Sequence, residues 1–151
     1  PTQACMAGCA YVSRVGEAWN TEGPPSLGGA GGVDGNTRTL MNEIAKAACG
    51  VVTEHIRQYH FSPVGGLQLM RDLQAWKHVA IQLGSSDTER RFEEYKEASN
   101  VLVIPPGDLQ GFLEDGGFYK SPACSDLLEL RSDWKTVRDK LGSAYTGKVI
   151  G

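Results

Sequence analysis

Two apolar stripes of helical period, separated by a single Pro/Gly turn, constrain this chain more than any other feature. Before the turn, apolar residues fall at Leu40, Ile44, Ala47, Val51, Ile56 and Tyr59. After it they fall at Leu69, Leu73, Trp76, Ala80 and Leu83. Steps of mostly three and four place each set on one face of a helix with about 3.6 residues per turn. The turn, Ser62-Pro63-Val64-Gly65-Gly66, is too short for anything but an antiparallel return. The spacing therefore predicts a helical hairpin over Leu40–Leu83, with Pro63 ending the first helix and the two glycines taking unusual backbone angles. That first helix should run from about Asn36 to Tyr59, some 35 Å at 1.5 Å per residue.

The rest of the chain reads as further helices laid on this pair. Residues 3–20 carry Met6, Cys9, Ala10, Val12 and Trp19 at helix-compatible positions, although Gly8 and Gly16 each cost roughly 1 kcal/mol relative to Ala. Residues 21–35 change to Gly and Pro with little else, which predicts a flexible, exposed loop insertion. Its glycines do not make a phosphate cradle: no Lys-Ser/Thr follows them, and the G-x-G-x-x-G spacing is absent. Ser86-Asp87-Thr88-Glu89 has the pattern of a capping box and opens a third helix, with Phe92, Tyr95, Ala98, Ser99 and Leu102 inward. Val101–Ile104 is kept as the buried end of that helix, because no second strand exists to pair with it. Pro105-Pro106-Gly107 stops it, and Asp108–Leu113 makes a short helix. Ser121-Pro122 opens the last helix, whose stripe is Leu127, Leu130, Trp134, Val137 and Leu141, with Gly142 as its cap. The sum is an all-α antiparallel bundle of five or six helices, read as a single domain over residues 1–151 and as a piece of a longer chain. Leu130→Ala serves as its core test, with an expected cost of about 2–5 kcal/mol.

Composition narrows the function classes. Fifteen Lys+Arg against 18 Asp+Glu give a net charge of −3, which is no footprint for nucleic acid. No apolar run approaches the ~20 residues of a membrane span, and no signal peptide opens the chain. The four cysteines form no Cys-x-x-Cys pair and read as small buried thiols of a reducing compartment. Cys5 and Cys9 are four apart, which on a helix separates their Cβ atoms by about 6 Å, too far for a disulfide. His55, His60 and His78 lack the i, i+4 spacing of a metal clamp, and no Gly-x-Ser-x-Gly elbow marks a nucleophile. These residues imply no enzyme, no metal and no cofactor.

Several short motifs, in order from Cys9 to Leu141, resemble the C-terminal region of the exocyst component five (Sec-ten) family. They are Cys9-Ala10-Tyr11-Val12, Asp34-Gly35-Asn36, Thr53-Glu54-His55-Ile56-Arg57-Gln58-Tyr59, Gly65-Gly66-Leu67 and Arg71-Asp72-Leu73 with Trp76-Lys77. Asn100-Val101-Leu102-Val103-Ile104-Pro105 with Asp108-Leu109, and Leu130-Arg131-Ser132-Asp133-Trp134 with Arg138, complete the series. Residues 21–33 and 116–124 depart from the family pattern. The resemblance implies a non-catalytic helical-rod subunit of the complex that tethers secretory vesicles to the plasma membrane. It implies partners among the other exocyst subunits, chiefly the Sec-fifteen, Exo-seventy and Exo-eighty-four subunits, and a cytoplasmic place at sites of secretion with membrane recruitment through the complex. The mixed charge of the outer faces of the third and last helices makes Arg90, Arg91, Glu94, Lys135 and Arg138 candidate contact residues. A solvated face is the plain account of the same charges. Three other readings stay open: a different helical-rod tether, a small helical enzyme or metal protein using the histidines, and an adaptor that binds a partner helix in a groove.

Overall fold

A computed structural model describes residues 1–22, 35–116 and 121–142. Among these, seven α-helices follow in order: α1 (Gln3–Glu22), α2 (Gly35–Ile56), α3 (Pro63–Gln82), α4 (Ser86–Ala98), α5 (Leu109–Asp115), α6 (Pro122–Glu129) and α7 (Trp134–Leu141). A 3-10 turn, Ser99–Leu102, follows α4. The expected Gly/Pro-rich loop falls mostly on residues 23–34, outside the described residues. No described helix is long and apolar enough to cross a membrane. The chain divides into two compact units, Pro1–Thr53 with Asp72–Glu93, and Glu54–Arg71 with Glu94–Gly151.

In the first unit, Met41 and Ala45 of α2 meet Val79 of α3 and Leu83 just beyond it, with Cys9, Val12, Ile44 and Trp76 packed around them. Trp76 also stacks on Phe92, ring centres 6.4 Å apart. The sequence stripe on α2 is corrected here. Its inward residues are Met41, Ala45 and Cys49, with Ile56 of the expected set, whereas Leu40 is 37% and Val51 70% exposed. The inward face is thus rotated by one residue, about 100° around the helix. A polar contact accompanies that rotation: Ser85 Oγ donates to Asn42 Oδ1 at 2.5 Å. Small residues on α1 complete the fit, since a Cβ on Gly8 would stand 3.0 Å from the Trp76 ring.

The α3–α4 corner also relocates two turn features. Gly84, at φ +69°, closes α3 with Ser85 N–H donating to Ala80 O and Gly84 N–H to Ile81 O, a Schellman cap. Ser85, not Ser86, stands at the entry to α4: its carbonyl accepts from Glu89 N–H, and its hydroxyl reaches Thr88 Oγ1 at 2.9 Å. The expected box with Glu89 is therefore replaced by a buried Ser85–Thr88 pair, to which the half-buried Asn42 adds an acceptor.

In the second unit the hairpin turn is tighter than its sequence suggests. Ser62 is the cap of α3, its hydroxyl accepting from Gly65 N–H and its carbonyl from Gly66 N–H, with Pro63 at the first helical position. Gly65 and Gly66 are thus helical and have no positive φ. Gly66 is needed for proximity: an added Cβ would lie 2.7 Å from Leu102 Cβ and 3.2 Å from Val103 Cγ2. Gly66→Ala is expected to cost about 1–3 kcal/mol, because Leu102 Cβ is fixed to a buried backbone and cannot retreat. Gly16→Ala is the control. Its Cβ would meet Leu83 Cδ2, the far end of a flexible side chain, and the helix gains up to ~1 kcal/mol of propensity in return. Urea midpoints of the two variants should separate clearly; equal midpoints would refute the close approach.

Val101 and Leu102 are buried in the 3-10 turn, as expected of an end of helix and not a strand. α6 packs against this turn, and its buried residues are Ala123, Cys124, Leu127 and Leu128. Ser121 caps α6, accepting from Cys124 N–H, with Pro122 in the first turn, as read from the sequence. The expected single last helix is broken into α6 and α7 at Leu130–Asp133. Phe61 N–H donates to Leu130 O at 2.7 Å and Ser132 N–H donates to Phe61 O at 2.9 Å, an isolated parallel bridge that takes these groups out of the helical ladder. Leu130 is half-buried at the break, so Leu127, fully buried, replaces it as the core test residue.

Candidate interaction surface

The five candidate contact residues are all exposed. Arg90 and Arg91 belong to the first unit, Glu94, Lys135 and Arg138 to the second. Arg90, Arg91 and Glu94 lie within two turns of α4, where Arg90 and Glu94 are four apart on one face. Lys135 and Arg138 are three apart on α7 and share a face. Arg138 and Lys140 occupy the last turn of α7, where cations complement the partial negative charge of the free carbonyls. Not every charge on the outer face of α4 is solvated: Glu93 pairs with Lys77 at 2.7 Å, and both are partly buried.

Exposed apolar residues are a part of the surface that periodicity misplaced. Met6 is 53% exposed, and Tyr11, Val51 and Val64 more so. The sequence pattern put Val51 inside, because it stands beside the true inward stripe of its helix and shares its period. No local signal separates two such adjacent stripes.

In the second unit Arg131 is a buried charge. Its side chain is 2% exposed. Nε and Nη2 donate to the two carboxylate oxygens of Asp133 at 2.7 and 2.9 Å. Nη1 donates to Val101 O and to Ile104 O, ending the 3-10 turn. The fork geometry of guanidinium explains why Arg is required to serve carboxylate and carbonyls together. Nearby, Arg57 bridges Glu54 and Asp126, both at 2.6 Å, and Tyr95 OH reaches Asp126 at 3.2 Å.

Among the described residues no three His, Cys, Asp or Glu side chains converge as metal ligands. His55, His60 and His78 are exposed; His55 packs edge-on against Tyr59, and His78 bonds Gln74. Burial pushes the Cys5 and Cys124 thiols up to about 12, and raises Cys9 and Cys49 as well, so none is a thiolate nucleophile at neutral pH. A shallow polar cavity of about 280 Å³ is lined by Arg38, Thr39, Asn42, Gly84, Ser86 and Asp87 in the first unit. It holds no nucleophile–base pair.

Comparison with known proteins follows the same lines. A family model described as "Exocyst complex component Sec10-like, alpha-helical bundle" matches residues 1–141. Exocyst complex component SEC10a of Arabidopsis thaliana is 28% identical over 147 residues, covering 96% of this chain and 17% of that protein. Exocyst complex component 5 of Oryza sativa subsp. japonica is 26% identical over 138 residues, 91% of this chain and 16% of the relative. Exocyst complex component 5 of Homo sapiens is 24% identical over 140 residues, 91% of this chain and 18% of the relative. The chain thus spans less than a fifth of the length of these relatives. No solved structure matches it.

Proposed function

The chain belongs to the Sec10-like, alpha-helical bundle family of exocyst components, and from that premise we propose that it is a non-enzymatic piece of a vesicle-tethering subunit. The family match over residues 1–141 carries the reading. In it, residues 1–151 form one helical-bundle domain of a longer rod, with residues 21–35 as an inserted loop. The work of such a piece is mechanical: packed helices resist deformation and hold bound subunits at fixed distances. The parent subunit docks secretory vesicles at the plasma membrane, acts from the cytoplasm and reaches the membrane through its complex. Its partners are other exocyst subunits, the Sec-fifteen, Exo-seventy and Exo-eighty-four subunits first among them.

The contact residues in this proposal are Arg90 and Arg91 on the first unit and Glu94, Lys135 and Arg138 on the second. Exposed charges at a rim steer association and select partners more than they add affinity. The test is affinity purification of the tagged full-length parent, with bound proteins identified by mass spectrometry. Co-purification of the other exocyst subunits is the expected result; recovery of another tether's subunits would move the chain to a different pathway. The double variant Arg91→Glu, Arg138→Glu should then lose at least one subunit from the set. An unchanged set would remove these residues from the interface.

A further inference from the structure

Cys5 and Cys9, one turn apart on α1, place their sulfurs 3.8 Å from each other. Cys5 is buried, Cys9 is half-buried, and neither is in a disulfide. The geometry points to a dithiol site that closes on one trivalent organoarsenical, RAs(OH)2, through both sulfurs. This proposal is independent of the tethering role.

Three observations select that ligand class. The first is reach. Helical i, i+4 spacing sets the Cβ atoms about 6 Å apart, while a disulfide needs roughly 3.8 Å, so direct S–S closure would unwind α1. One atom bonded to both sulfurs spans the existing gap: two bonds of about 2.3 Å, the length of sulfur to a zinc-sized centre, meet near the tetrahedral angle at this separation. The second is ligand number. With no third His, Cys, Asp or Glu converging among the described residues, a closed zinc site is not formed, and the bound centre must take two sulfurs and bring its own third substituent.

The third is charge. A Cu(I) ion between two thiolates would leave a net anion. Asp72 bears on both thiols: its carboxylate accepts from Thr2 N–H and Thr2 Oγ1, and its carbonyl oxygen lies 3.6 Å from Cys5 Sγ. Burial and the Asp72 charge both penalise a negative product at this place. The arsenical product is neutral. Two As–S bonds form and two As–O bonds break; the two thiol protons leave with the two hydroxyls as water, and no atom changes oxidation state.

Phenylarsine oxide, hydrated in water to the required form, is the probe. Titrated into the full-length chain, it should add one equivalent that is lost in Cys9→Ser and in Cys5→Ser and kept in Cys49→Ser and Cys124→Ser. Cys9 is the half-buried member, so Cys9→Ser leaves the packing of Cys5 in place. The adduct should survive excess 2-mercaptoethanol and be released by 2,3-dimercaptopropanol. On the unaltered protein, arsenical treatment followed by alkylation should leave Cys5 and Cys9 unalkylated in the tryptic peptide that ends at Arg14. Undiminished uptake by Cys9→Ser, release by the monothiol, or alkylation of both cysteines in that peptide would overturn the site.

Discussion

Arg131→Ala should be among the most damaging single substitutions in the second unit, at about 1–3 kcal/mol for the buried polar group it leaves unpaired, with lost packing of its stem in addition. The side chain is 2% exposed and serves Asp133, Val101 O and Ile104 O together. Its removal strands the buried Val101 carbonyl of the 3-10 turn, at about 1–3 kcal/mol, and frees the part-buried Ile104 carbonyl just beyond it. It also removes the stem that packs between the turn and the α6–α7 break. Arg131→Lys should recover only part of the loss, because an ammonium cannot present the fork. Urea unfolding at neutral pH measures both; an Arg131→Ala loss below about 1 kcal/mol would show that water replaces the guanidinium at little cost.

The same pair sets an acid signature. The Arg131 hydrogen bond holds the Asp133 carboxyl below its ordinary value. A carboxylate with a depressed folded value stabilises the fold above its unfolded value, and that contribution is lost as pH falls through the folded one. The acid limb of the stability curve should therefore be shallower in Arg131→Ala than in the unaltered protein. Asp133 is partly exposed, so solvent screens the effect.

Leu127→Ala is the second large effect, at about 2–5 kcal/mol. Leu127 is fully buried, in α6 where that helix meets the 3-10 turn. Truncation there removes apolar burial and leaves a cavity that its neighbours fill only in part. Leu130→Ala, three residues on, should cost less, because Leu130 is half-buried at the helix break. Melting temperatures of the two variants decide the matter: a larger drop for Leu130 would restore the uninterrupted helix that the sequence stripe suggests.

Partner recognition was legible in the sequence only through family motifs, since exposed charges such as Arg91 and Arg138 carry no signature that separates a contact from a solvated face. Arg131 lay in plain view within Leu130-Arg131-Ser132-Asp133-Trp134, but its burial was not legible. Charged residues are almost never fully buried unless paired, and its partners Val101 and Ile104 are backbone carbonyls some thirty residues away.

What the sequence determined by itself was the helical content, the Ser121-Pro122 helix start, and the order of the elements. These rest on local physics: periodicity, capping and the missing N–H of proline act within a few residues. Tertiary structure decided which stripe of α2 turns inward, where the last helix breaks, and why Gly66 must lack a side chain. On α2 two stripes one residue apart have the same period, and packing against Val79 and Leu83 takes the one that carries Met41 and Ala45. At the break, Phe61 supplies the backbone partners that a continuing helix would have supplied. Both decisions depend on groups distant in the chain, so no window of local sequence contains them.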